Sequence, residues 1–190
     1  EEPADSVKNE VFPSALFIFP PLYVKIGQGT QARTGCEIEE RGSRVMSNVI
    51  RVFVEKREGF DVEARHMLAD LRDNLGMTGI TGLRLLNRYD VEGLSAEEFA
   101  RARDIVFSEP NADDVYDEIF EAGENARVFA MEYLPGQYDQ RADSAAQCVQ
   151  LLTGGERPRV VTARVVCLEG EVSDADFDRV QAYLVNPVES

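Results

Sequence analysis

Apolar and polar positions alternate along residues 49–56 (VIRVFVEK), the period of two that marks a half-buried strand. The period then changes. Ala64, Leu68, Leu71 and Leu75 lie on one helical stripe, with Asp61 placed to cap its start and Gly76 to end it. Residues 83–91 (LRLLNRYDV) are extended again. Ser95 with Glu98 forms the pattern of a capping box before a helix carrying Phe99, Ala102, Ile105 and Val106, and residues 115–120 suit a closing strand. The same order then recurs: a strand over 127–134, a helix over 140–152, a strand over 160–168 and a helix over 173–183. Ser173 and Asp176 open that last helix, and Pro187 stops it.

The recurrence extends to individual residues. Arg51-Val52-Phe53 returns as Arg127-Val128-Phe129, Gly59 and Asp61 as Gly136 and Asp139, and Ala64 as Ala142. Glu92-Gly93 and Ser95 return as Glu169-Gly170 and Ser173, Phe99 as Phe177, and Pro110 as Pro187. A shift that stays within 76–78, with only single-residue indels, is the mark of duplication. The expected fold is α+β: two tandem ferredoxin-like-related α/β sandwich halves, 46–122 and 123–190, forming a pseudo-dimer about an approximate two-fold. The second half stops before its last strand, which would leave a sheet edge unpaired.

Residues 1–45 differ. The apolar patch 11–26 is broken by Pro13, Pro20 and Pro21, and 27–44 carry neither period. The expectation is that Met46 is the true start and 1–45 translated upstream sequence, or else a disordered N-terminal arm.

Charge narrows the function. Thirty-five acidic residues against twenty basic ones give a net charge of −15, which opposes binding to phosphate backbones and to anionic membranes. No apolar run is long enough for a membrane span. Cys36, Cys148 and Cys167 are scattered, neither a disulfide framework nor a zinc motif, so a cytoplasmic location is expected. A single histidine, His66, rules out a site with two histidine ligands and reads as a surface residue.

The densest candidate is residues 135–148 (PGQYDQRADSAAQC). Ala142, Ala145, Ala146, Val149 and Leu152 can face a sheet, while Asp139, Gln140, Asp143, Gln147 and Gln150 share the other side. Amides with Asp and Arg suit a fixed hydrogen-bond network. Gln137, Asp139, Gln140, Arg141, Asp143 and Gln147 are therefore the expected interdomain contact; the bland alternative is a solvated face with Asp139 as cap. Cys148 and Cys167 read as small buried hydrophobes. The loop TGGERP at 153–158 follows a helix instead of preceding one, so it is a C-cap and turn, not a phosphate loop. The acidic pairs Asp113-Asp114 and Asp174/Asp176 are too few and too dispersed to hold a metal.

Residues 52–61 (VFVEKREGFD), 87–93 (NRYDVEG), 106–110 (VFSEP) and above all 132–158 (EYLPGQYDQRADSAAQCVQLLTGGERP) resemble the N-terminal region of large, single-chain phosphoribosylformylglycinamidine synthase. The resemblance covers 46–190. It implies a place in an ATP- and glutamine-dependent ligase of purine biosynthesis. The N-terminal domain of that family is similar to two fused copies of a small subunit that braces the synthetase and glutaminase domains. The implied partners are the downstream linker, synthetase and glutaminase domains. The family's ATP, magnesium and substrate sites and its Cys-His-Glu triad have no matching position here. No catalytic, cofactor or metal residue is carried over, and the chain alone is expected to be inactive. The alternative is a free-standing regulatory module of tandem ferredoxin-like halves binding a small ligand; a stop codon after Ser190 would favour it.

Overall fold

The computed structural model describes Val24–Ile26 and residues 49–188. The remaining residues, and with them most of the expectation for 1–45, lie outside the described part.

The strands are β1 (Val24–Ile26), β2 (Val49–Lys56), β3 (Ile80–Glu92), β4 (Asp113–Asp117), β5 (Phe120–Ala122), β6 (Arg127–Glu132) and β7 (Arg159–Gly170). The helices are α1 (Val62–Leu75), α2 (Ala96–Ala102), α3 (Gln140–Thr153) and α4 (Asp174–Leu184). Five strands form one antiparallel sheet in the order β4-β2-β3-β7-β6. Two halves expected as separate sandwiches thus share a single sheet, joined where β3 pairs along its length with β7.

The pairing has two-fold character. Val52 lies opposite Tyr89, and Phe129 opposite Val166, so both strands of the second hairpin follow the first by 77 residues (129 − 52 and 166 − 89). Asn87 and Arg164, also 77 apart, face each other at the middle of the β3–β7 ladder, and the pseudo-dyad passes between them. This register differs from the residue matches at one point. Aligning Arg51-Val52-Phe53 with Arg127-Val128-Phe129 is off by one. Val52 packs under the helices while Val128 packs on the opposite face, and in a strand one residue of slip exchanges the faces.

All four helices cover one face, and they cross between halves. Ala145 and Val149 of α3 pack on Val52, Val54, Tyr89 and Val91 beside Phe99 and Ala102 of α2. Leu71 of α1 packs on Phe129, Val166 and Leu168 beside Val180 of α4. Each helix pair therefore joins one helix from each half. Arg101 donates to the Leu152 carbonyl at 3.3 Å across α2–α3, and Arg179 to the Leu75 carbonyl at 3.0 Å across α1–α4.

Local signals account for the ends. The Ser95–Glu98 capping box is complete, and the Ser173 hydroxyl accepts the Asp176 N–H. Gly76 and Gly154 close their helices with left-handed φ of 68° and 70°. Asp61 sits at the N-cap of α1 but caps no helical N–H; its carboxylate takes the Gly59 N–H and Arg65 instead. Of the expected stripe, Phe99, Ala102 and Val106 pack on the core and Ile105 does not. A π turn, Arg103–Phe107, follows α2; it rotates the helix face, so Ile105 is exposed and Phe107 buried. The expected closing segment is divided. β4 pairs with β2, and Glu118 turns the chain at φ 62° into β5, which pairs parallel with β1. Phe120 of β5 packs on Phe53, ring centroids 5.0 Å apart, on the sheet face without helices. No described strand lies beside β6 as β4 lies beside β2.

Candidate functional site

The connection from β6 to α3 forms an exposed corner. Tyr133, Leu134 and Tyr138 are 48%, 42% and 68% exposed, an unusual concentration of large side chains outside the core. Gly136 adopts φ 90°, and the Gln137 N–H returns to the Leu134 carbonyl at 3.0 Å, so the turn holds both flanks outward.

The six expected contact residues are brought together here. Asp139 caps α3: one oxygen accepts the Ala142 N–H at 2.9 Å and the other the Thr162 hydroxyl at 2.7 Å. Gln137 donates to the Val188 carbonyl at 3.2 Å. Asp143 accepts from Arg157 at 2.6 Å and from the Tyr138 hydroxyl at 3.0 Å. The Asp143 bond, the largest cause, raises the Tyr138 pKa by favouring the protonated phenol. Arg141 reaches only the Tyr89 hydroxyl, at 3.4 Å. Gln140 and Gln147 stand exposed. The polar network thus closes largely within this chain, while Gln137, Gln140, Arg141 and Gln147 stand exposed with Tyr133, Leu134 and Tyr138. The inner face follows the alanine stripe, with Ala142, Ala145, Ala146 and Val149 all buried.

Beside this corner lies a cleft of about 550 Å³ between the start of α3, the end of α4, β6 and β7. Arg141, Ser144, Tyr133, Glu132 and Arg164 line it. Glu132 is taken by Arg88, and Arg164 pairs with Glu63. A second cleft, of about 500 Å³, holds the dyad-related place in the first half, with Glu55, Lys56, Glu63, Leu85 and Asn87 among its lining.

The sheet face away from the helices carries several charged side chains. Arg51 and Asp90 face each other across β2 and β3 and join through two bonds of 2.5 and 2.8 Å. Arg88 adds a contact to Asp90 at 3.3 Å, and all three side chains are at least 96% buried. Burial opposes the Arg51 charge, but the Asp90 hydrogen bond and charge, with Glu118 and Glu132, outweigh it and the pKa rises. Arg84 makes a bidentate pair with Glu55 at 2.8 and 2.6 Å over the Tyr116 and Phe120 rings.

Cys167 is buried as expected; Cys148 is exposed, because it lies off the buried stripe of Ala142, Ala145, Ala146 and Val149 on α3. His66 is exposed on α1. Among the described residues no group of three or more His, Cys, Asp or Glu is placed to hold a metal, and no helix is long and apolar enough to cross a membrane. No family model matches the chain, and neither a curated protein nor a solved structure matches it.

Proposed function

We propose that this chain is the N-terminal scaffold domain of a large single-chain phosphoribosylformylglycinamidine synthase, bracing its synthetase and glutaminase domains and performing no chemistry itself. ATP and magnesium would belong to the rest of that enzyme. One observation carries the proposal: the string of strongest resemblance, residues 132–158, builds the exposed corner of Tyr133, Leu134 and Tyr138 beside Gln140 and Arg141. Tyrosine and arginine clustered at one exposed site have the composition of an interface centre, and Leu134 adds exposed apolar surface beside them. The symmetric register of the two hairpins supports descent from a duplicated, ferredoxin-like-related unit, which agrees with the fused small-subunit copies that the resemblance implies.

The test supplies the chain in trans to a synthase of this family lacking its N-terminal domain. The expected result is binding and restored amidine formation with no surplus glutamate. The double variant Leu134→Ala, Tyr138→Ala should keep its melting temperature and lose at least tenfold in binding. Absence of binding by the unaltered chain would refute the proposal.

A further inference from the structure

The two dyad-related clefts carry opposite charge. In the first, Glu55, Glu58, Asp61, Glu63 and Glu169 surround Lys56 and Arg84. In the second, Arg141 stands where the first half has Glu63, and Arg164 where it has Asn87. No carboxylate among the described residues pairs with Arg141. The Nε of Arg164 is buried without a hydrogen bond, although its other end meets Glu63. The lining carboxylate, Glu132, is engaged by the buried Arg88. Two arginines thus line, in a chain of net charge −15, a cleft of about 550 Å³. That is the size of a small-molecule site. The Ser144 hydroxyl and the first turn of α3 border the same space. The N–H groups of Gln140 and Arg141 there precede the first intrahelical bond, from the Asp143 N–H to the Asp139 carbonyl.

We infer that this cleft binds the phosphate group of a small phosphorylated molecule, with Arg141 and Arg164 as its charge partners. A phosphate dianion matches two guanidinium forks and helix-end amides better than a carboxylate does. The dyad-related acidic cleft repels the same ligand. The inference is independent of whether the corner docks another domain, because it is read on the isolated 190-residue chain.

The probe is inorganic phosphate at pH 8, titrated against the full chain at constant ionic strength and followed by calorimetry and thermal midpoint. Phosphate should bind and raise the midpoint, while sodium chloride does neither and acetate binds at least tenfold more weakly. Arg141→Ala and Arg164→Ala should each weaken phosphate binding about tenfold. Glu63→Gln, which releases Arg164, should strengthen it at least twofold. Arg157→Ala, outside the cleft, serves as the charge control and should leave binding unchanged. Equal effects of phosphate and chloride, or unaltered binding in Arg141→Ala, would overturn the assignment.

Discussion

Asp90 has no exposed surface and lies between the guanidinium groups of Arg51 and Arg88. Asp90→Ala would leave both buried cations short of their shared carboxylate, a loss of about 3–5 kcal/mol for a broken buried pair. Urea unfolding should show this as a lower midpoint with an unchanged slope, and a change below 1 kcal/mol would mean that water reaches the pair. Cys167 gives a second prediction at this scale. Burial pushes its thiol from 9.0 up to about 11. The neutral thiol is therefore favoured in the folded state. Its contribution is complete below pH 9 and is lost as pH rises through 11, with a slope of at most ~1.4 kcal/mol per pH unit in between. In a Cys36→Ala background, a thiol reagent at pH 8 should modify Cys148 at once and Cys167 only on unfolding. Cys167→Ala should flatten the stability curve between pH 9 and 11.

The elements were legible to the degree that local chemistry decides them. The Ser95–Glu98 box was visible at a spacing of three residues, and it forms. Ser95→Ala should cost about 1 kcal/mol in thermal unfolding, the ordinary value of an N-cap, and a neutral result would mean that tertiary packing alone holds α2. The Glu98 pKa is lowered first by the Ser95 backbone N–H, which Ser95→Ala keeps, and next by the Ser95 hydroxyl, which it removes. Only the hydroxyl's share is present above the carboxyl's ordinary value of 4.5 and lost as pH falls, so the Ser95→Ala penalty should shrink slightly in acid and keep the part due to the Glu98 N–H. Other features were set by longer-range contacts. Matching Arg51-Val52-Phe53 with Arg127-Val128-Phe129 suggested a shift of 76, but the register of the strands corresponds at 77, since identity of letters does not record which face a side chain takes. The π turn after Ala102 has no local signature, and only its consequence, Phe107 stacked 5.7 Å from Phe99 while Ile105 faces outward, reveals it. The burial of Arg51, Arg88 and Asp90 is tertiary, since no periodicity of the strands marks three charged side chains as interior. At the candidate site, the alanine stripe of α3 and the cap at Asp139 were readable; the arginine pair of the cleft was not, because Arg141 and Arg164 meet only through the fold.

At the scale of the molecule, exchange of helices makes the two halves depend on each other. Without α3, the first half would expose the apolar patch around Val52, Tyr89 and Val91 that Val149 and Ala145 cover. Without α1, the second would expose Phe129, Val166 and Leu168, which pack with Leu71, Met77 and Ile80. The β3–β7 ladder, running from Ile80–Gly170 to Glu92–Arg159, would also open on both sides, leaving long unpaired edges. A half of this size buries too small a fraction of its surface to tolerate such losses, since domains of about 60 residues are already marginal. The prediction is that residues 1–122 and 123–190, produced separately, each lack a cooperative thermal transition, and that co-expression restores one assembled species with near-native circular dichroism. A cooperative transition in either fragment alone would show that the helices can return to their own half. In that case the chain would be two domains in contact and not one interlocked sheet. Joining the fragments by mixing after separate refolding is a stricter form of the test. The β3–β7 pairing must then form between chains and has no loop to bring its strands together, so assembly should become concentration-dependent and slow.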